Sequence, residues 1–310
     1  MILFAGIPSE PPMALAIASA EAAGAPHLVL NQRQCLFSDL SVEVSAAGPR
    51  GRVWFDETVW PLEDFTGLYA RAVDVVTLPE VRPRGRRTGD GADYGRALAW
   101  NELLTDWLDI APGCVINRPA AMASNVSKPY QAQLIAACGL STPPTIVTND
   151  GDAVRAFHAR HGRIIYKSTS SIRSIVREWT PADAGGLERL AVLPTQFQAL
   201  IEGVDVRVHV VGDAVFASEV RSPAIDYRYA GRDGLDLAMA AIDLPEAVEA
   251  TCVALASALG LTLAGIDLRR TADGEWFCFE VNPSPAYSYY QEHTGQPISD
   301  AIVQRLVDGG

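Results

Sequence analysis

The stretch that decides the fold lies near the C-terminus: "GIDLRRTADGEWFCFEVNPSP", residues 265–285. Two runs of strand-forming residues flank the turn signal "TADG", which reads as a β-hairpin. Each run holds a carboxylate, Asp267 in the first and Glu280 in the second, and Asn282 follows. With the turn at 271–274, residues 270 and 275 pair. The two-residue period of a strand then puts Gly265, Asp267, Arg269, Cys278, Glu280 and Asn282 on one face. Ile266, Leu268, Phe277, Phe279 and Val281 take the other, purely apolar face. In that register Asp267 faces Cys278, Gly265 faces Glu280, and the two carboxylates are diagonal neighbours. Two carboxylates about 4 Å apart repel by roughly 4 kcal/mol at an effective dielectric of about 20. A proton, an arginine or a metal must relieve that field. Oxygen-only donors such as Asp267, Glu280 and Asn282 suit a hard cation, Mg²⁺ above all. The alternative is a solvated pair on an exposed sheet face, with Arg269 as its partner.

Bulk properties narrow the field. The chain has 310 residues, enough for two or three domains or subdomains. Lys and Arg number 25 against 37 Asp and Glu, a formal charge of −12, which disfavours nucleic acid as a partner. The five cysteines are scattered without a CxxC pair, so they read as small core residues rather than a zinc site or a disulfide frame. The N-terminal run lacks a basic segment and is broken by Pro8, Pro11 and Pro12, unlike a signal peptide. No apolar run reaches the length of a membrane span. The expected location is cytoplasmic, with no membrane partner.

Along the chain, "ILFAGI", the helix ending at Gly24 and "HLVLN" suggest an α/β unit. "SVEVSA" and "GRVWFDE" form an antiparallel pair, and the Trp100–Trp107 helix carries an apolar stripe that belongs to a core. Domain boundaries are expected near residue 115 and near "LPTQFQALI", giving units 1–114, 115–193 and 194–310. Ser127 caps a helix that ends at Gly139, and "DVRVHVVGDAVFASEVRS" is a hairpin turning at "GD".

Lysine is rare among the basic residues, yet Lys128 stands at a helix start and Lys167 at a strand end. A flexible point charge suits phosphate oxygens. The hydroxyl-rich "STSSIRS" after Lys167 offers backbone amides to a phosphate. No GxxxxGK occurs. Taken singly, each lysine also fits a solvated surface group.

The order "SKPYQAQLIAACGLSTPPTIVTND", "IIYKS", "FQALIEGVDVRVHVVGD", "GIDLRR" and "FCFEVNPSP" resembles an ATP-grasp ligase. Within that superfamily it is similar to the RimK-like branch, and there to the microviridin-type (graspetide) ligases that mature ribosomal peptides. The likeness spans roughly residues 115–300, with a weaker echo in 1–114. It implies a mixed α/β and α+β architecture: an N-terminal α/β pre-ATP-grasp domain and two lobes enclosing the nucleotide.

The resemblance also implies roles. Lys128 and Lys167 match the two nucleotide lysines, and Gln198 and Leu200 the hinge beside adenine. Glu202 stands near that hinge, and Asp205 matches the acidic residue facing the ribose. Arg207 matches the arginine near the transferred phosphate. Arg269 is expected to orient Asp267 or to meet the substrate carboxylate. Asp267, Glu280 and Asn282 match the metal ligands. His209 fits a satisfied, partly buried imidazole. ATP and Mg²⁺ are the implied cofactors, and a homodimer is common among relatives. The implied substrate is a precursor peptide or a small carboxylate. Arg173, Arg221, Arg228, Arg232 and the loop at 82–87 are candidates to receive acidic side chains of such a peptide.

Overall fold

The structure is a computed structural model that describes residues 1–81, 90–168, 176–222 and 237–309. The chain opens with β1 (Ile2–Gly6), α1 (Pro11–Ala22) and β2 (His27–Asn31). All five residues of β1 are buried, the mark of a central parallel strand covered on both faces. Pro11 and Pro12 occupy the first turn of α1, where the missing amide hydrogens cost nothing. Next come β3 (Asp39–Ser45), β4 (Gly48–Phe55) and β5 (Thr58–Pro61), a three-stranded antiparallel sheet. β6 (Gly67–Arg71), α2 (Asp90–Ile110) and β7 (Cys114–Ile116) complete a parallel sheet of order β2-β1-β6-β7. Trp100 and Trp107 of α2 are buried in its core, as the stripe predicts.

α3 (Pro119–Met122) and α4 (Lys128–Ala137) lead into β8 (Thr145–Thr148), α5 (Gly151–His161), β9 (Ile164–Ser168), β10 (Arg177–Trp179) and β11 (Thr195–Ala199). Ser127 caps α4 by accepting the Tyr130 amide at 3.4 Å. These strands form an antiparallel sheet of order β10-β9-β11-β8, whose Phe197 and Trp179 pack on α5 through Val154 and Phe157.

The last sheet holds β12 (Val204–Val211), β13 (Ala214–Arg221), β14 (Ala238–Ile242), β15 (Leu263–Arg270) and β16 (Trp276–Asn282), in the order β14-β13-β12-β15-β16. β12 and β13 turn on Gly212 and Asp213, and Gly212 takes a left-handed φ of 59°. α6 (Glu246–Ala258) covers the apolar face of this sheet, and α7 (Tyr287–Thr294) and α8 (Ile298–Asp308) follow it.

The packing units do not follow chain order. Ile135 of α4 lies in the core of the last sheet, with Cys278 and Val281. Ile302 and Leu306 of α8 pack against Phe4 and Tyr69 of the first sheet. These two helices therefore tie the sheets together around a cleft between β9–β11 and β12–β16. No helix among the described residues is long and apolar enough to cross a membrane.

Candidate functional site

The hairpin of β15 and β16 departs from the expected register in two places. Arg270 pairs with Trp276 rather than Glu275, because the connection runs Thr271–Glu275 and is closed by Thr271 N–H to Glu275 O at 3.0 Å. A β-bulge then intervenes between the pairs Leu268–Cys278 and Asp267–Glu280. The two one-residue shifts together restore the expected facing of Asp267, Glu280 and Asn282. They make Asp267 and Glu280 direct cross-strand partners, not diagonal ones, with Gly265 opposite Asn282. They also exchange Cys278 with the phenylalanines: Cys278 is fully buried against Ile266 and Leu268, while Phe279 enters the cleft. A bulge leaves no mark in a two-residue alternation, so the sequence pattern misassigns Cys278, Phe277 and Phe279.

Each carboxylate of the pair meets its own cation. Arg207 on β12 lies opposite Asp267 and forms an ion pair with it. Lys128, at the start of α4, reaches across to Glu280, and its Nζ also donates to Asn125 Oδ1 at 3.0 Å. The side chains of Lys128 and Glu280 are only 15% and 24% exposed. Lys128 and Lys167 are the only two lysines in the chain, and both stand at this site. Arg207 has the space it occupies because residue 265 is glycine. A Cβ there would lie 2.0 Å from an Arg207 terminal nitrogen and 2.7 Å from Pro285 Cβ.

The cleft beside this pair is lined by Lys167 and Ile165 of β9, Gln198 of β11, Leu200, Asp205 and Phe279. Asp267, Arg269 and Glu280 border it from the opposite sheet. Thus Lys167, Gln198, Leu200, Asp205, Asp267, Arg269 and Glu280 come together, although they span more than a hundred residues of sequence. Gln198 is buried; its amide nitrogen donates to Thr145 Oγ1 at 3.0 Å, and its oxygen has no partner among the described residues. The amides of Ala199 and Leu200 donate to Pro144 O and Arg163 O, so these two backbone donors are already used within the protein.

Three expected placements change. Glu202 points away from the cleft: it is 75% exposed and pairs with Arg163 at 2.5 Å. Arg269 does not hold Asp267; it pairs with Asp205 at 2.6 Å, donates to Ile201 O at 2.8 Å and lies over the Phe279 ring. Asn282 shares the face of Asp267 and Glu280, but its oxygen accepts the Ser284 amide at 2.9 Å and it does not line the cleft. It fixes the turn of "NPSP". The exposed Arg221 pairs with Glu219 at 2.6 Å. The "STSSIRS" turn, Arg173, Arg228, Arg232 and the 82–87 loop lie outside the described residues, apart from the end of β9.

Two buried amides hold the frame, and sequence reasoning passed over both. Asn117 makes four hydrogen bonds, donating to Leu263 O and Pro283 O at 2.6 Å and accepting the Thr262 and Leu263 amides. Gln131 of α4 bonds both backbone groups of Val281, at 2.8 and 3.0 Å. β16 is thereby fixed on its open edge beside Glu280. Asn117, with both donors and its acceptor matched, is strongly position-specifying.

The residues fit a nucleotide with its magnesium. The Gln198 oxygen is a buried acceptor that a base amine would satisfy, between the apolar Ile165, Leu200 and Phe279. Among the described residues no cluster of three or more His, Cys, Asp or Glu exists to hold a metal. Asp267 and Glu280 provide two carboxylates beside Lys167, which matches Mg²⁺ bound through one or two carboxylates plus substrate phosphates.

Comparison with known proteins agrees with that geometry. The model of the RimK-like ATP-grasp domain matches residues 133–306. The chain belongs to the RimK-like ATP-grasp family. It is 31% identical over 184 residues to a protein of Xanthomonas euvesicatoria pv. vesicatoria (strain 85-10) named "Probable alpha-L-glutamate ligase", covering 56% of this chain and 62% of that one. The chain thus spans less than two thirds of that relative's length. The ATP-grasp ligase PsnB, solved in complex with a minimal precursor, superimposes with a TM-score of 0.77 at 26% identity, covering 99% of this chain and 98% of PsnB. The macrocyclase MdnC of Microcystis aeruginosa MRC, bound with precursor peptide MdnA, gives a TM-score of 0.80 at 20% identity over 99% of both chains. The fold is ATP-grasp, and the likeness to PsnB extends over the N-terminal α/β sheet as well.

Proposed function

We propose that this protein is a cytoplasmic ATP-dependent carboxylate ligase acting on a side-chain carboxylate of a ribosomal precursor peptide. The carboxylate attacks the γ-phosphorus of ATP, the bond to ADP breaks, and an acyl phosphate forms. A hydroxyl or amine of the peptide then attacks the acyl carbon, phosphate leaves, and an ester or amide cross-link results. Residues 1–114 act as the pre-ATP-grasp domain, 115–193 as the central lobe and 194–310 as the C-terminal lobe, with α4 and α8 bridging them.

The observation that carries this reading is the meeting of Lys167 with the Asp267–Glu280 pair in one cleft, each carboxylate already balanced by its own cation. Mg²⁺, when bound, offsets the negative charge of the phosphate oxygens. Arriving phosphates draw Lys128 and Arg207 from the carboxylates, which are left to a metal. Lys167 and Arg207 then stabilise the transferred group electrostatically. Gln198, Leu200 and Phe279 hold the base, and Asp205, oriented by Arg269, faces the ribose. The whole-chain likeness to PsnB solved with its precursor supports a peptide as the carboxylate donor.

The name of the Xanthomonas relative supports a second reading, a carboxylate–amine ligase for an amino acid or other small molecule. ADP release with candidate precursor peptides and with amino-acid pools separates the two, read alongside mass spectrometry for loss of water. Release with peptide and a dehydrated product supports the first reading; release with free amino acids alone replaces it with the second. Lys167→Ala is the control and abolishes release in either case.

A further inference from the structure

Behind Arg207 lies a histidine that the proposed reaction does not use. His209, two residues on along β12, is 0% exposed, and its ring lies 4.9 Å from that of Tyr290. Arg207 is itself only 6% exposed, and its guanidinium stands 5.6 Å from the Tyr290 centroid. Arg207 Nε–H points at His209 Nε2 at 3.4 Å, while a terminal nitrogen holds Asp267. The guanidinium fills the space that Gly265 leaves open, directly opposite His209 on β15.

We propose that His209 is a positioning residue for Arg207, acting as a neutral imidazole that accepts the Nε–H bond. The inference rests on the ligase reading for its catalytic consequence, not for its geometry. An arginine side chain has several rotatable bonds, and a bond at Nε fixes the guanidinium plane where Asp267 alone fixes only one terminal nitrogen. Acceptance at Nε2 requires that the ring proton sit on Nδ1, which is buried without a partner among the described residues. Leaving that donor unpaired costs stability. A histidine kept for packing alone has no reason to bear this cost, since an apolar side chain of similar size fills the same space. Its value lies in the lone pair offered to Arg207. Arg207, held between His209, Asp267 and Tyr290, then waits in one orientation for the transferred phosphoryl group.

Two measurements on the full chain test this. Histidine-selective ¹⁵N NMR, with the His209 signal assigned by its loss in His209→Gln, is expected to show a neutral ring with Nδ1 protonated and Nε2 bare at neutral pH. A protonated Nε2, or an imidazolium, overturns the proposal. Phosphate release from Mg·ATP, in the presence of the peptide or amino acid that supports turnover, is the second measurement. His209→Leu is expected to lower kcat about ten- to a hundred-fold with little change in the KM for Mg·ATP, the scale of a misplaced catalytic group. His209→Gln, which keeps an acceptor near the position of Nε2, is expected to recover most of that loss. Combining His209→Leu with Arg207→Lys is expected to lose little more than Arg207→Lys alone. Equal losses in Leu and Gln variants that melt as the wild type does, or fully additive losses, overturn the proposal. A wild type that releases no phosphate from Mg·ATP with any precursor peptide or amino-acid pool sinks the ligase reading instead, and the NMR result still decides the role of His209.

Discussion

Asp267 and Glu280 face each other directly across β15 and β16, and each is bound by a different cation, Arg207 for the first and Lys128 for the second. The repulsion inherent in the pair is therefore already relieved in the protein itself. A metal entering alone has to displace two ammonium or guanidinium partners and gains little. Phosphates change the balance, because they offer those cations new anionic partners at the same moment.

Binding should accordingly be ordered. Calorimetry is expected to show weak or undetectable binding of Mg²⁺ alone and clear binding of Mg·ATP, with ATP alone weaker than Mg·ATP. Tight binding of Mg²⁺ to the bare protein would contradict the exchange of partners. Absence of binding under all three conditions would remove the nucleotide site.

Gly265→Ala tests the space given to Arg207. The added Cβ would meet the guanidinium at 2.0 Å and Pro285 at 2.7 Å, so Arg207 has to leave its place on Asp267. Overpacking of this kind costs about 1–3 kcal/mol. The expected outcome is a folded protein with a lower melting temperature and a larger proportional loss of ADP release. Activity equal to wild type would show that the location of Arg207 is immaterial to catalysis.

The burial of His209 has a pH consequence. Burial, with Arg207 adding to it, holds its pKa well below the ordinary histidine value of 6.5. The unfolded chain takes up the proton near that ordinary value, while the folded protein stays neutral. Below about pH 6.5 the unfolded state thus binds more protons, and stability falls with falling pH by at most about 1.4 kcal/mol per unit from this group. Denaturant melts between pH 5 and 7.5, the range set by an ordinary histidine, are expected to show a shallower pH slope for His209→Gln than for wild type. Identical slopes would mean that His209 takes up its proton in the folded protein over the same pH range as in the unfolded chain.

Much of this was legible in the sequence, and the exceptions have physical causes. β1, the β12–β13 hairpin and the capped α4 follow from local rules that need only neighbouring residues: a continuous apolar run, a Gly-Asp turn and a Ser before a helix. The gathering of Lys167, Gln198, Asp205, Asp267 and Glu280 was expected from the order of motifs, since no local rule joins residues so far apart. What escaped was register and partner choice. The bulge beside Asp267 adds one residue without changing composition, and so moved Phe279 into the cleft and Cys278 into the core. Arg269 pairs with Asp205, not Asp267, because β12 lies beside β15 and sets Asp205 opposite Arg269 and Arg207 opposite Asp267. Asn117 and Gln131 show no pattern in sequence; their role exists only once α4, β15 and β16 meet.

Glu280→Gln decides between a metal ligand and a solvated carboxylate. From the sequence alone, two unrelieved carboxylates would make the neutral variant more stable. The structure reverses that sign. Removing the charge leaves Lys128, largely buried, without its anionic partner and with only neutral oxygens, that of Asn125 and the new amide, as acceptors among the described residues. The cost lies between that of an exposed pair and that of a buried one, about 1–3 kcal/mol. The apo variant is therefore expected to melt below wild type. Addition of Mg·ATP should widen the gap, because wild type gains the stabilisation that comes with binding and the variant gains little. ADP release should fall together with that gain. Melting temperatures of both proteins, apo and with Mg·ATP, give four values whose pattern is diagnostic. A solvated carboxylate predicts the same shift for both proteins and unchanged turnover. A variant that is less stable when apo, yet gains as much from Mg·ATP and turns over normally, would make Glu280 a partner of Lys128 and nothing more.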